Sequence, residues 1–191
     1  MGMNMMLTIG ALVLLGTLLI SNNTLIRSQN QDSLDNEYTV AAYGVAQSVI
    51  DEAKLKSYDE RTIGVNVADT SGMTTVASLG KDATTEKLNG TAANPDAVDT
   101  LTTASPFSAA NPGFRSAIKF DDVDDYNGYK RALNRSRALE GDTVAVSVGY
   151  ADVNSPNTAV TTYRTYCKKM TVTVTGKYLA SPVTLTYAFT Y

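Results

Sequence analysis

The sequence predicts an α+β fold in which a long N-terminal α-helix packs on a C-terminal antiparallel β-sheet. Two observations support this prediction. The chain begins with an uncharged apolar stretch that runs into a helical pattern, and it ends in segments where apolar and polar side chains alternate. Its 191 residues leave room for one globular head beside the helix. We predict a helix over residues 1–58 and a head over residues 59–191.

The front half of the predicted helix, residues 1–26, has no charged side chain. A helix needs about 20 apolar residues to cross a bilayer core of roughly 30 Å. A cleaved secretory signal fits less well, because no Lys or Arg precedes the apolar run and no A-x-A site follows it. This half is therefore predicted to be buried by lipid or by identical helices of neighbouring subunits.

The back half of the predicted helix, residues 27–58, is amphipathic. One helix of roughly 50 residues would be about 75–80 Å long at about 1.5 Å per residue, which is more than a small head can cover. We expect a stripe formed by Tyr38, Val45 and Val49 to cover the apolar face of the sheet, in a ladle-shaped subunit. Apolar side chains recur in this half at steps of three and four: Leu34, Tyr38, Ala41, Ala42, Val45, Val49 and Ala53.

The head is predicted to contain two regions. Residues 59–142 are rich in Thr, Ala, Gly, Asn, Asp and Ser, a composition typical of surface loops with short strands. Residues 143–191 predict an antiparallel sheet of about four strands, because apolar side chains alternate with polar ones. The alternating apolar positions are Val144, Val146, Val148 and Tyr150, then Met170, Val172 and Val174, then Val183, Leu185, Tyr187, Phe189 and Tyr191.

The composition excludes several kinds of chemistry. The chain has no His and therefore no imidazole base or metal ligand, and its single Cys excludes an intrachain disulfide and a thiolate metal cage. A formal net charge of -3 argues against nucleic-acid binding, which relies on a basic surface. We expect a protein that is not an enzyme and that holds no cofactor.

The acidic segment Asp121, Asp122, Asp124 and Asp125 is the one constellation that could hold an ion. Ca²⁺ takes about 6–8 oxygen ligands, which carboxylates supply. The spacing does not match an EF-hand, because Tyr126 stands at a ligand position and Asn127 at the position of the glycine. We therefore predict a solvated acidic turn, with calcium binding or an intersubunit salt bridge as the alternatives.

Basic side chains follow the acidic segment at Lys130, Arg131, Arg135 and Arg137, and again at Lys168 and Lys169. We predict that they are solvated charges on loops and edge strands. The alternative is that they dock on the acidic segment of the next subunit. Cys167 is predicted to be a small strand residue rather than a nucleophile, and the tyrosines are predicted to pack in the core or at interfaces.

The order of these features resembles the type IV pilin-like superfamily, which includes pilins and secretion pseudopilins. The stretch from Glu37 to Ala53 looks like the amphipathic helix of such subunits. The stretch FDDVDDYNGY, from Phe120 to Tyr129, is similar to a phrase in minor pilins of the mannose-sensitive haemagglutinin type. The resemblance implies a filament subunit whose helices form a central bundle and whose sheet domains form the outer surface.

The N-terminus departs from the pattern of this superfamily, whose members carry an acidic residue a few positions after the mature N-terminus. Cleavage after Gly2 would make Met3 the first residue, and no Asp or Glu precedes Asp32. A buried terminal amine without a partner is costly. We therefore expect this amine to be exposed at the bundle axis, hydrogen-bonded by Asn4, or modified.

Together, the features predict a structural subunit of an extracellular type IV pilus-like filament on the bacterial cell surface, inserted in the inner membrane before assembly. Its expected partners are copies of itself and the assembly machinery of a pilus or secretion system. The alternative is a membrane-anchored pseudopilin or adhesin that acts as a binding module of a secretion or pilus tip complex. The predicted filament-core interface comprises Met3, Met6, Leu7, Ile9, Leu12, Val13, Leu14, Leu15, Leu18, Leu19, Ile20 and Leu25.

Overall fold

The computed structural model describes residues 2–80, 86, 88, 98–101, 113–133 and 139–191. It shows an α+β chain in which part of a long N-terminal helix packs against a five-stranded, mostly antiparallel sheet, which confirms the predicted fold class. The chain divides into two compact units, Met1–Tyr38 and Thr39–Tyr191. This division lies within the helix, whereas we expected the boundary between helix and head after residue 58.

Helix α1 runs from Gly2 to Ala53 and so ends five residues before the predicted position. The backbone of Ser57 explains this earlier end. Its N–H donates to the carbonyl of Asp121 at 3.0 Å, and its carbonyl accepts from the N–H of Val123 at 3.0 Å. Because this pairing is an extended, parallel bridge, the backbone at Ser57 cannot continue the helix.

In the first unit, the apolar part of helix α1 satisfies its own polar side chains. The hydroxyl of Thr8 donates to the carbonyl of Met5 at 2.8 Å, and the hydroxyl of Thr17 donates to the carbonyl of Leu14 at 2.9 Å. These bonds to the preceding turn leave no hydroxyl proton that needs water. The segment can therefore enter an apolar environment despite its threonines.

In the second unit, helix α1 buries one side against the head. The buried residues are Ala42, Ala46, Val49, Ile50 and Ala53, at the spacing of three and four residues that marks one helix face. Of the side chains predicted to cover the sheet, Val49 is fully buried in the core. Val45 is partly buried and packs against that core. Tyr38 belongs to the first unit.

The sheet has five strands in the order β1-β2-β3-β4-β5. Strands β1 and β2 are parallel, and every other neighbouring pair is antiparallel. A short helix, α2, spans Ser116–Lys119, and 3-10 turns span Glu60–Thr62, Thr70–Gly72, Val76–Ser78 and Asp124–Tyr126. The strands are β1 Asp99–Thr100, β2 Lys130–Leu133, β3 Asp142–Tyr150, β4 Cys167–Thr175 and β5 Val183–Thr190.

The predicted alternation is present in the two long central strands. On β3 and β4 the apolar side chains point into the core, and Val146 pairs with Val172 across the two strands. Strand β5 is more exposed, since its alternating residues Leu185 and Phe189 are only partly buried and Tyr187 is 39% exposed. An outer strand with one neighbour has less of its surface covered.

Residues 59–142 contribute more to the sheet than the sequence predicted. Strands β1 and β2 both come from this region, and residues 143–191 supply only three of the five strands. Strand β1 has two residues, too few for an alternating pattern. Strand β2 places Arg131 in a buried position, so a charge stands where the pattern requires an apolar residue. Neither strand could be recognised by hydrophobic alternation.

The packing of helix α1 on the sheet predicts unequal effects for the same substitution at two valines. Val49→Ala removes buried methyl groups and should lower the free energy of unfolding by about 2 kcal/mol. Val40→Ala, on the same helix but 69% exposed, should change it by less than about 0.5 kcal/mol. Denaturant unfolding of the full-length protein in detergent measures both values, and equal effects would contradict this packing.

Candidate functional site

The apolar side chains predicted to form the filament core are exposed on helix α1. Their exposed fractions range from 53% at Ile9 to 81% at Met3. The most apolar 18-residue window has a mean hydropathy of 2.1, and none of its residues is buried by the part of the chain that the structure describes. In length and composition this helix could cross a membrane, which is consistent with membrane insertion.

The acidic segment is not a solvated turn. Asp122, Asp124 and Asp125 are buried, with exposed fractions of 1%, 2% and 2%, and Asp121 alone is exposed. The carboxylate of Asp125 accepts the backbone N–H of Asp121 at 3.1 Å, and the carboxylate of Asp122 accepts the backbone N–H of Asp125 at 3.1 Å. The side chains of Asp122 and Asp125 point inward because they accept hydrogen bonds from backbone N–H groups of their own turn.

Asp124 belongs to a buried ionic group that we call the Lys168 cluster, formed by Lys168, Asp59 and Asp124. The Nζ atom of Lys168 lies 2.7 Å from Oδ2 of Asp59 and contacts Oδ1 of Asp124. Nζ also donates to the backbone carbonyl of Tyr58 at 2.9 Å. The ammonium is therefore surrounded by three oxygen acceptors, which is the full hydrogen-bonding capacity of a lysine.

The carboxylate of Asp59 is the most heavily hydrogen-bonded group of the Lys168 cluster. It accepts the backbone N–H of Arg61 at 3.1 Å, the backbone N–H of Thr74 at 3.0 Å and the hydroxyl of Tyr150 at 3.2 Å. Burial alone would raise the pKa of Asp59, but the hydrogen bond and charge of Lys168 and the hydrogen bonds from Thr74 lower it. Asp59 is thus held as a carboxylate.

The pKa values of two other carboxyl groups of the acidic segment are raised, in contrast to that of Asp59. Burial, followed by the negative charges of Asp124 and Asp125, raises the pKa of Asp122 to about 9. Burial, followed by the negative charge of Glu86, raises the pKa of Asp125 to about 7. The segment therefore holds more carboxyl groups than its buried position can keep ionised at neutral pH.

A second buried group, which we call the Arg131 cluster, joins helix α1 to strand β2. The Nη2 atom of Arg131 donates to Oε2 of Glu52 at 2.7 Å and to the hydroxyl of Ser116 at 3.0 Å. Its Nε donates to the hydroxyl of Tyr129 at 2.8 Å. That hydroxyl donates in turn to Asp99 at 3.0 Å, so Asp99 of strand β1 is part of the same network.

The basic residues were predicted to be solvated, and for two of them this is wrong. Lys168 is fully buried and Arg131 is 3% exposed, because each neutralises buried carboxylates. Lys168 and Lys169 also lie on β4, which has a strand on either side and is not an edge. Lys130 is exposed, as predicted. Arg135 and Arg137 lie outside the described residues.

The calcium alternative involves a different set of oxygens from the one predicted. Carboxylate oxygens of Glu60, Asp121 and Asp122 lie within 4.8 Å of one another, a spacing that a hard cation could bridge. Asp124 instead contacts Lys168, and Asp125 binds backbone N–H groups. The four aspartates of the segment are therefore not brought together around one point.

Cys167 and the tyrosines lie largely where packing requires them. Cys167 is buried on β4, and burial followed by the charge of Asp152 raises the pKa of its thiol. Tyr126, Tyr129 and Tyr150 are buried in the head. The first two pack edge to face on Phe120, with ring centroids 4.9 and 5.3 Å from it. Burial in the head therefore accounts for Tyr126, Tyr129 and Tyr150 as packing residues.

A groove of mixed lining, which we call the polar groove after its hydroxyl groups, opens on the surface of the head with a volume of about 730 Å³. Its lining combines hydroxyl side chains and the apolar Val76 and Ala77 with Tyr163, which is 57% exposed, and Arg164. The guanidinium of Arg164 donates to the carbonyl of Ser71 at 2.8 Å, which holds the two walls together. The hydroxyl residues of the lining are Thr70, Ser71, Thr75, Thr161 and Thr162.

Asp59 and Asp99 were not recognised from the sequence as members of a site. Lys168, the partner of Asp59, could have been recognised, because it has the same parity along β4 as the buried Met170 and Val172. Arg131 similarly shares the parity of Leu133 on β2. A basic residue in phase with core positions signals a buried ion pair, but it does not tell which carboxylates pair with it.

No protein-family model, curated protein or solved structure matches this chain. The resemblance to the type IV pilin-like superfamily therefore stays a prediction from the sequence.

Removing the guanidinium of Arg131 should destabilise the folded head. Arg131→Ala leaves the partly buried Glu52 without its charge partner, and it should lower the free energy of unfolding by about 2–3 kcal/mol. Lys130→Ala, at the exposed neighbouring position, should cost less than about 0.5 kcal/mol. Chemical denaturation of the full-length variants gives both numbers. A small effect at Arg131 would mean that the cluster is not buried.

Stability should also depend on the proton held by Asp125. The folded chain keeps this proton up to about pH 7, whereas the unfolded chain releases it near the ordinary pKa of 3.8. Its contribution to the free energy of unfolding is therefore complete below about pH 3.8 and is lost as the pH rises to about 7. Asp125→Asn should flatten the decline of stability over this range. An unchanged slope in that variant would refute the assignment.

Proposed function

We propose that the chain is a structural subunit of an extracellular, type IV pilus-like helical filament. The observation that supports this proposal most strongly is the exposed apolar surface of helix α1, which extends from Met3 to Ile20 and includes Leu25. A soluble protein does not leave so large an apolar surface in contact with water. The segment needs a cover, and identical segments of other subunits provide one of matching length and shape.

The energetics favour such an assembly. Moving one large apolar side chain out of water contributes about 1.5–3 kcal/mol, so the exposed set supplies on the order of tens of kcal/mol per subunit. Subunits that start in a bilayer gain much less from transfer. Their association instead depends on the close packing of helices. In this proposal the inner membrane holds the subunits, and an assembly machinery moves them into the filament.

The head supports a structural role. Its buried cations Lys168 and Arg131 are paired with carboxylates of the same chain, so their charges are used within the fold. We propose that the head forms the outer surface of the filament and is not a catalytic domain. Calcium could bridge Glu60, Asp121 and Asp122, but the proposed assembly does not require it.

A second candidate is a membrane-anchored binding module, such as a pseudopilin or adhesin at a secretion or pilus tip. The polar groove lined by Tyr163 and Arg164 favours this candidate, because an exposed aromatic ring beside hydroxyl groups is suited to binding a polar ligand. The two candidates differ in stoichiometry. A filament subunit is abundant in sheared fibres, whereas an anchored module stays with the membrane in few copies.

A pair of leucine substitutions separates filament packing from membrane anchoring. Leu14→Ala combined with Leu18→Ala alters one face of helix α1, since the two positions are four residues apart. Each change removes about 2 kcal/mol of apolar burial per subunit. The segment stays uncharged and should still insert into the membrane. The yield of fibres seen by electron microscopy should fall at least about tenfold, with the amount of chain in the membrane unchanged.

The matched control is Leu55→Ala, which makes the same change at a residue that is 85% exposed and lies beyond helix α1. This variant should form fibres at the wild-type level. Wild-type fibre yield in the double variant would contradict the proposal, and the absence of fibres from the wild-type chain would favour the anchored module.

A further inference from the structure

The geometry of the Lys168 cluster brings an amine and a carboxyl group into contact in the interior of the head. Lys168 and Asp59 are fully buried, and Asp124 is 2% exposed. The Nζ atom of Lys168 contacts Oδ1 of Asp124. The carboxyl carbon of Asp124 is bonded directly to this oxygen and therefore also lies close to Nζ. The three residues come from different places in the fold, namely the residue before the 3-10 turn Glu60–Thr62, the 3-10 turn Asp124–Tyr126 and strand β4.

The two carboxylates around Lys168 have different surroundings. Donors fixed by the fold surround Asp59, and these include the backbone N–H and the hydroxyl of Thr74. A carboxylate held in this way is a persistent anion that can take a proton from Nζ, 2.7 Å away. Asp124 lies on the other side of Nζ, in the acidic segment whose neighbouring carboxyl groups already resist ionisation.

The charge of the site favours its neutral forms. One ammonium faces two carboxylates, so the charges of the buried site are not balanced, and a buried unbalanced charge is costly. The rings of Tyr58 and Tyr150 lie 4.6 and 5.3 Å from Nζ and help to exclude water. In so dry a site, transfer of a proton from the ammonium to Asp59 costs far less than it does in water.

We propose that Lys168 and Asp124 condense to an intramolecular isopeptide bond, with Asp59 as the catalytic base. One ammonium proton passes to the contacting Oδ1 of Asp124, and the lone pair of Nζ then attacks the carboxyl carbon of Asp124. An N–C bond forms, and Asp59 takes a second proton from the nitrogen. Asp59 returns this proton to the departing hydroxyl, so the C–O bond breaks and the oxygen leaves as water. The net change is one ammonium and one carboxylate giving one amide and one water, with no oxidant and no external reagent.

The surroundings of the cluster favour this product over the ion pair. Formation of the amide removes two buried charges, and the dry interior suppresses hydrolysis of the bond. The new bond would tie strand β4 to the turn at Asp124, enclosing β2 and β3 in a covalent loop. A chain whose single Cys excludes an intrachain disulfide would obtain a comparable cross-link in this way.

The mass of the denatured full-length protein tests this proposal. Wild-type protein should be lighter than its sequence mass by one water molecule, whereas Lys168→Arg and Asp124→Ala should each have their own sequence mass. Tryptic digestion of the wild type should yield a branched peptide that joins residues 120–130 to residues 165–169. A cyclised aspartate would also lose water, but it would give no branched peptide.

Two further variants test the roles of the residues. Asp124→Asn should still cross-link, with the loss of one ammonia molecule, and should give the same final mass as the wild type. Asp59→Asn keeps the shape of the side chain but cannot accept the proton from Nζ, so it should remain at its sequence mass. Lys169→Ala, at the neighbouring position of β4, should still lose one water.

Wild-type protein at its full sequence mass would overturn the proposal and leave the Lys168 cluster as a non-covalent ion pair. Loss of water that persists in Lys168→Arg would place the reaction elsewhere in the chain. Circular dichroism of each variant, recorded before denaturation, shows whether the variant folds. A folded variant at its full sequence mass therefore lacks the bond for a chemical reason and not because it failed to fold.

Discussion

The structure depends on one helix that has to be covered in two different ways. Residues 42–53 of helix α1 carry the face that packs on the sheet, with Val49 and Ile50 in the core. Residues 3–25 of the same helix have large apolar side chains that stay exposed. A helix can serve both purposes because its backbone hydrogen bonds are internal and do not depend on the surroundings. In the proposed filament, identical helices of other subunits cover residues 3–25.

The end of the helix is fixed in the head by two ionic clusters as well as by apolar packing. Glu52, in the last turn, is bound by Arg131 of strand β2. Asp59, six residues after the helix, is bound by Lys168 of strand β4. Buried ion pairs add little net stability, but a pair with one member removed is strongly destabilising. The clusters therefore specify where the helix end joins the sheet, a place where apolar contacts alone would allow sliding.

The sequence predicted the parts of the fold that periodicity controls. The alternation from Val144 to Tyr150 located β3, and helical spacing located the buried face of α1. It could not locate β1, which is too short for a pattern, nor the partners of Lys168, which are 44 and 109 residues away in the chain. Long-range pairing of charges depends on the packed structure, and the same physics turned a predicted solvated turn into a buried one.

Electron cryomicroscopy of wild-type material sheared from cells can show directly whether the apolar segments pack against one another. We expect a helical fibre composed mainly of this chain, with residues 3–25 packed against equivalent residues near the axis and the sheet domains outside. Recovery of the chain only from detergent-extracted membranes, as separate copies whose apolar segments contact lipid alone, would contradict it.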